Sequence, residues 1–150
     1  MAKSADKDDK PSAYDRALGL LARREHSRRE LATKLAVKGY GREEATSAIA
    51  ALGERHEQSD ERFAEVLIRQ RVTSGYGPRY IAAELGSHGI AVAPFRAALD
   101  EIDWVEQAGR LVSRRYGDSP DGAARDKAAQ FLTRRGFSGE VIARVLGRRR

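Results

Sequence analysis

One pattern is spelled three times along this chain. Ala17-Leu-Gly-Leu-Leu-Ala-Arg-Arg24, Ala64-Glu-Val-Leu-Ile-Arg-Gln-Arg71 and Ala108-Gly-Arg-Leu-Val-Ser-Arg-Arg115 share an alanine, two aliphatics three and four residues on, and an arginine at the seventh. Each is followed by a leucine four residues ahead of a glycine: Leu35 and Gly39, Leu85 and Gly89, Leu132 and Gly136. Past each glycine an apolar residue comes at once (Tyr40, Ile90, Phe137), again six residues on (Ala45, Phe95, Ile142) and again at ten (Ile49, Leu99, Leu146). Three registers held together make a tandem repeat. A unit of about 45 residues buries too little to be stable alone, so neighbouring units must share apolar surface. Such an array points away from a single deep catalytic pocket.

The spacing inside each unit is helical. Ala17, Leu18, Leu21, Leu31 and Leu35 fall on one helical face while charged residues take the others. Ser27-Arg-Arg-Glu30 spells a capping box and marks a helix start; Gly39 supplies a left-handed helix end, and Gly41-Arg-Glu-Glu44 opens the next helix with carboxylates at its positive end. In the second unit Ser59-Asp-Glu opens a helix running to about Thr73, Gly77-Pro78 opens another that ends at Gly89, and Ala93-Pro94 opens a third. Asp103-Trp-Val-Glu, Ser119-Pro120-Asp121 and Ser138 do the same for the third unit. No alternating apolar-polar run competes as a strand. The expected fold is all-α: three tandem three-helix units, residues 13–56, 57–102 and 103–150, stacked into a curved, elongated array, behind a polar disordered tail over 1–12. The distance from template alanine to glycine grows by three residues per unit, and the surplus is expected as loops, in Thr73-Ser-Gly-Tyr-Gly77 and in Tyr116-Gly-Asp-Ser-Pro-Asp-Gly122.

Charge separates the units. The formal net charge is +6, and it falls as +3 on residues 13–56, −2 on 57–102 and +5 on 103–150. Two basic ends favour a polyanionic partner through counterion release and steering. The clusters are Arg23, Arg24, Arg28, Arg29, Lys34 and Lys38 in the first unit. In the third they are Arg114, Arg115, Arg125, Lys127, Arg134 and Arg135, extended by Arg144, Arg148, Arg149 and Arg150. Guanidinium groups there can bind phosphate or carboxylate bidentately, or can form a solvated face paired with Glu25, Glu30 or Asp126. Tyr76, Tyr80 and Tyr116 near the inter-helix loops could stack on bases, although packing is the simpler assignment. Trp104 reads as the packing anchor between the second and third units.

Catalytic motifs are missing. The chain contains no Walker loop, nucleophile elbow, zinc-binding histidine pair or dinucleotide fingerprint, so neither enzyme, metal nor cofactor is expected. His26, His56 and His88 lack a second ligand at metal spacing and read as surface or capping residues. With no cysteine there is no disulfide framework, and no apolar run approaches a membrane span, so a cytoplasmic protein without membrane contact is expected.

Leu20-Leu-Ala-Arg-Arg-Glu-His-Ser-Arg-Arg-Glu-Leu-Ala-Thr-Lys-Leu-Ala-Val-Lys-Gly-Tyr40, with two degenerate copies behind it, resembles the RecX family of bacterial regulators of the RecA recombinase. The family's first-repeat pattern is met at Arg24, Ser27, Glu30, Leu31, Lys34, Leu35 and Gly39, and the likeness covers about residues 13 to 150. One departure is Ala128, standing where the earlier copies have Leu31 and Ile81. The resemblance implies a protein that lies in the groove of the RecA filament on single-stranded DNA. There it would limit filament extension and lower ATP hydrolysis, strand exchange and co-protease action in recombination and the SOS response. The alternative is a DNA-binding architectural protein using its basic end repeats directly. A monomer is the default form, with a swapped dimer open to small units joined by short hinges.

Overall fold

The computed structural model describes residues 9–147. Among them are nine α-helices and no strand: α1 (Ala13–Arg23), α2 (Arg28–Val37), α3 (Arg42–Glu54), α4 (Asp60–Thr73), α5 (Pro78–Ser87), α6 (Arg96–Asp100), α7 (Trp104–Tyr116), α8 (Gly122–Arg134) and α9 (Gly139–Leu146). A 3-10 turn, Ala93–Phe95, leads into α6, so the third helix of the second repeat is short. The chain divides into two compact units, residues 1–66 and 67–150.

The leucine-glycine-apolar register is the spelling of a helix C-cap. Gly39, Gly89 and Gly136 all have positive φ (89°, 72° and 94°), where a side chain would strain the backbone. The amide after each glycine donates to the leucine carbonyl: Tyr40 to Leu35 (3.1 Å), Ile90 to Leu85 (2.9 Å) and Phe137 to Leu132 (3.0 Å). Each glycine's own amide donates to Ala36, Gly86 or Thr133. These are the paired bonds of a Schellman cap, which brings the leucine side chain against the apolar residue past the turn. The template alanines are packed with equal strictness, since Ala17, Ala64 and Ala108 are all 0% exposed. Leu31, Ile81 and Ala128 are likewise fully buried, so the smaller third-repeat residue keeps its core place.

Helix starts follow their caps. Ser12, Ser27, Asp103 and Ser138 each accept from the amide three residues on, and Ser59 accepts from Arg62. The surplus residues sit differently from the expectation of loops. In the second repeat they lengthen α4, which runs 14 residues against 11 in α1; the third repeat extends α7 and α8 to 13 residues each. Nothing in Val72-Thr73 breaks a helix, and α4 stops only at Gly75, whose φ of 88° builds one more Schellman cap with Tyr76 donating to Arg71.

Part of the expected disordered tail is held. Lys10 lies over the Tyr40 ring and donates to the Lys38 carbonyl, and the Tyr40 hydroxyl donates to Pro11 at 2.5 Å. An aromatic ring at the first C-cap thus gives Lys10–Ser12 a surface to settle on. Residues 1–8 of that segment lie outside the described residues.

Within the second compact unit, two helices meet end to end. The carbonyls of Arg135 and Gly136, at the end of α8, accept from Gly77 (2.6 Å) and Arg79 (3.0 Å) at the start of α5. Amides and carbonyls left over by the two helices satisfy one another, which removes the cost of leaving either set unpaired. The approach is too close for side chains. A Cβ on Gly136 would fall 2.6 Å from the Tyr80 Cβ, and one on Gly77 would fall 2.6 Å from the Gly136 carbonyl. Trp104 completes the joint: its indole N–H donates to the Leu99 carbonyl (3.0 Å) and its ring meets Phe137 edge-on.

Candidate functional site

The basic clusters divide, on inspection of each side chain, into groups that hold the scaffold and groups that face solvent. In the first unit the α1–α2 linker, residues 24–27, folds around His26. That histidine is 2% exposed, which corrects the expectation of a surface or capping residue. Lys34 Nζ lies 3.0 Å from its Nε2, and an ammonium can only donate. Nδ1 therefore carries the proton and donates to the Arg24 carbonyl at 3.0 Å. Burial is the main force lowering the His26 pKa, with Arg24 and Lys34 adding positive charge, so the ring stays neutral.

Glu30 organises the cations around this ring. Its carboxylate takes two hydrogen bonds from Arg24 (2.5 and 3.2 Å) and lies 3.8 Å from Lys34. Burial works to raise the Glu30 carboxyl, but the Arg24 hydrogen bond and charge outweigh it and bring the group below its ordinary value. The Arg24 guanidinium is raised in turn, chiefly by its bond to Glu30. Three contacts bind this linker to the start of α4: Gln58 Nε2 donates to the His26 carbonyl (3.3 Å), the Arg28 amide to Asp60 (2.9 Å) and Arg62 to Glu25 (2.7 Å). Arg24, although exposed, and the half-buried Lys34 are accordingly engaged in holding this linker. Arg23, Arg28, Arg29 and Lys38 have exposed side chains.

The third repeat shows the same division. Arg125 donates to the carbonyls of Leu146 (3.1 Å) and Gly147, closing the C-terminus of α9 as a capping cation. Arg135 is drawn into the joint between the second and third repeats. Its guanidinium lies 4.6 Å from the Tyr76 ring centroid and 4.9 Å from that of Phe131, and donates to the Ser74 carbonyl. Arg115 lies 4.7 Å from Phe131 on an exposed side chain, and Arg114, Lys127 and Arg134 are exposed as well. Arg148, Arg149 and Arg150 lie outside the described residues. Arg144 pairs with Glu140 one turn away (3.1 Å).

The template arginine takes a different partner in each copy. Arg71 and Arg115 both engage the residue preceding the register leucine, a bidentate pair with Glu84 (2.7 Å) and stacking on Phe131. In the first copy that residue is Lys34, and Arg24 turns instead to Glu30. A like charge at the usual place forces the change.

Exposed cations that the sequence did not group into a cluster, being scattered along the chain, include Arg79, Arg110 and Arg69. Arg79 stands at the start of α5, held near Gly136 by its amide. Arg110 joins Arg114, Gln107 and Leu111 around a recess that also includes Thr73 and Gly75, although Arg110 itself pairs with Glu106. Arg69 lies on the exposed face of α4. Arg79 is brought beside the end of α8 by the α5–α8 joint, which no local pattern announces. Tyr76 and Tyr80 stack on one another with centroids 4.1 Å apart; Tyr80 is 36% exposed and so is not the packed residue expected. Among the described residues no group of His, Asp and Glu is placed to hold a metal ion, and no helix is long and apolar enough to cross a membrane.

Exposed guanidinium and ammonium groups of this kind can bind anions. Comparison with known proteins bears on which. Models of the first, second and third three-helix domains of RecX match residues 13–52, 59–99 and 101–146. Regulatory protein RecX of Stenotrophomonas maltophilia (strain K279a) is 52% identical over 134 residues, spanning 87% of this chain and 82% of its own. Its counterpart in Xanthomonas axonopodis pv. citri (strain 306) is 48% identical over 131 residues, spanning 85% and 81%. A crystal structure of regulatory protein RecX superimposes with a TM-score of 0.74 at 25% identity, covering 89% of this chain and 69% of that one. RecX from Lactobacillus salivarius, at 24% identity and a TM-score of 0.69 over 97% of this chain and 96% of its own, shares the fold.

Proposed function

Because the chain belongs to the RecX family, we propose that it is a non-enzymatic cytoplasmic regulator that binds the RecA filament on single-stranded DNA. Bound there, it limits filament extension and lowers ATP hydrolysis, strand exchange and co-protease activity, and so tempers recombination and the SOS response. The observation that carries this reading is the 52% identity to a regulatory protein RecX over most of both chains. The repeat supplies a physical reason for preferring filament to free subunit. Several weak contacts presented by tandem repeats act at high effective concentration on a polymer, whereas a single subunit engages only some of them. We take the monomer as the working form.

Direct contact with DNA is a second reading. It is supported by the exposed cations Arg114, Lys127 and Arg134, for which the described residues supply no acidic partner in an ion pair. Phosphate contacts of this kind weaken steeply with salt and need no recombinase.

The test is RecA-catalysed ATP hydrolysis on single-stranded DNA with the chain titrated in below one molecule per RecA. Hydrolysis should fall well before equivalence. Unchanged hydrolysis at equimolar chain removes the proposal, and equal affinity for free and filamentous RecA removes its geometric basis.

A further inference from the structure

The aromatic and cationic groups at the joint of the second and third repeats form one continuous stack. From the second repeat inward the order is Tyr80, Tyr76, Arg135, Phe131 and Arg115, with successive separations of 4.1, 4.6, 4.9 and 4.7 Å. Tyr116 meets Phe131 edge-on at 6.0 Å. Planar rings and guanidinium groups at these distances attract through dispersion and the ring quadrupole. The stack begins at Tyr80, more than a third of which is open to solvent.

The repeat does not call for a tyrosine at this position. Aligned on the register leucine, position 80 corresponds to Glu30 in the first copy and Lys127 in the third. The first and third copies fold around the equivalent buried Leu31 or Ala128 with a charged residue in this place, so the scaffold does not need an aromatic ring at 80. The charges nearby are also arranged. Arg79 precedes Tyr80 and is exposed, while Arg134 is exposed on the last turn of α8, where Arg135 and Gly136 meet α5. Arg114 lines the recess beside Gly75. Two carboxylates on the helices that carry Tyr80 and Arg114 are already taken, Glu84 by Arg71 and Glu106 by Arg110. An open ring at the end of a stack, with free cations on either side and the acids neutralised, is the combination that single-stranded nucleic acid uses: base on ring, phosphate on guanidinium.

We propose that the joint of the second and third repeats is a binding site for single-stranded nucleic acid, in which a base extends the stack at Tyr80 while Arg79, Arg114 and Arg134 hold the flanking phosphates. The site rests on the direct-contact reading above. It adds that bases, not phosphates alone, are recognised, and it places that recognition at Tyr80. A duplex, whose bases are already stacked, cannot use the ring and contacts only the cations.

The experiment measures affinity by fluorescence anisotropy for labelled dT20, rU20, a 20-unit abasic deoxyribose phosphate and a 20-base-pair duplex, with no recombinase present. Wild-type chain should bind dT20 or rU20 more tightly than the abasic strand, and the two base-bearing strands show which sugar the site prefers. Tyr80→Ala should weaken the preferred strand by about fivefold or more, the low end of base–aromatic stacking, and leave the abasic strand unchanged. Tyr80→Phe should retain binding. Tyr80→Lys, which installs the third copy's residue and keeps the fold, should lose the base-dependent part alone. Far-ultraviolet dichroism confirms that each variant is helical. If the wild-type chain binds no strand, the direct-contact reading and the site fall together. If it binds base-bearing and abasic strands equally, or if Tyr80→Ala and Tyr80→Lys bind as wild type, the stacking site alone is wrong.

Discussion

The segment joining the first two helices of a repeat does opposite things in the first and second copies. In the first, residues 24–27 form a polar network in which buried His26 and Gln58 meet half-buried Glu30 and Lys34, and the start of α4 is tied to it. In the second, residues 74–77 offer backbone and an aromatic side chain, with His26 replaced in register by Tyr76 and Glu25 by Gly75. The C-terminus of α8 docks there, glycine against glycine. One slot in the repeat thus receives the next element either through polar ties or through an aromatic and glycine joint. The difference explains why basic residues that look alike in the sequence divide into ties and free cations.

Substitutions at the two glycine caps should expose that difference most strongly. Gly136→Ala places a Cβ in the Tyr80 backbone at a φ of 94° and pries apart the α5–α8 bonds, so it should destabilise the protein by about 3 kcal/mol or more. The same change at Gly39 meets only Lys10 Nζ, at 3.6 Å, and should cost about 1 kcal/mol. Urea unfolding of the two variants measures the gap, and equal losses would refute the joint as a tight contact.

His26→Ala comes next. It leaves Lys34 and the Arg24 carbonyl without their partner and opens space beneath the linker, a loss of about 2 kcal/mol by urea unfolding. Acid should act on the same network. His26 has a lowered pKa in the folded chain, so the unfolded chain binds more protons just below the ordinary histidine value. Stability is full above about pH 6.5 and falls as pH drops below it, with a further loss where Glu30, also lowered, begins to protonate. His26→Gln should flatten the first part of the pH–stability curve; an unchanged slope would place the titration elsewhere.

Glu84→Gln removes the charge that Arg71 pairs with on a half-buried face and should cost about 1 kcal/mol. At the bottom of the scale, Arg114→Ala and Arg134→Ala should change the unfolding midpoint scarcely at all, because nothing in the scaffold leans on them. Arg125→Ala and Arg135→Ala should lower it, since one caps α9 and the other lies within the joint.

The repeat and its caps were legible because they are local. A leucine, a glycine and an apolar residue within six positions specify a Schellman cap wherever they occur, and a buried alanine at helical spacing specifies its packed face. The surplus residues misled because glycine and serine in Ser74-Gly75 read equally as loop or as cap, and the helix continued to the cap. The fate of individual arginines was not legible. Whether Arg135 is free depends on Phe131, one turn back on α8, and on Tyr76, which comes from the distant α4–α5 linker, and Arg125 is fixed by carbonyls some twenty residues on. His26 was misread for the same reason, since beyond the nearby Arg24 carbonyl it is held by Lys34 on the next helix and by Gln58 far along the chain.

The central prediction is that exposed arginines of the third repeat make contact while the half-buried Arg125 and Arg135 only support the scaffold. Substoichiometric inhibition of RecA-catalysed ATP hydrolysis by the double variant Arg114→Ala, Arg134→Ala tests it directly, with the melting temperature followed in parallel. The account predicts that inhibition is lost while the melting temperature stays at the wild-type value. Full inhibition by a double variant of unaltered stability would contradict it.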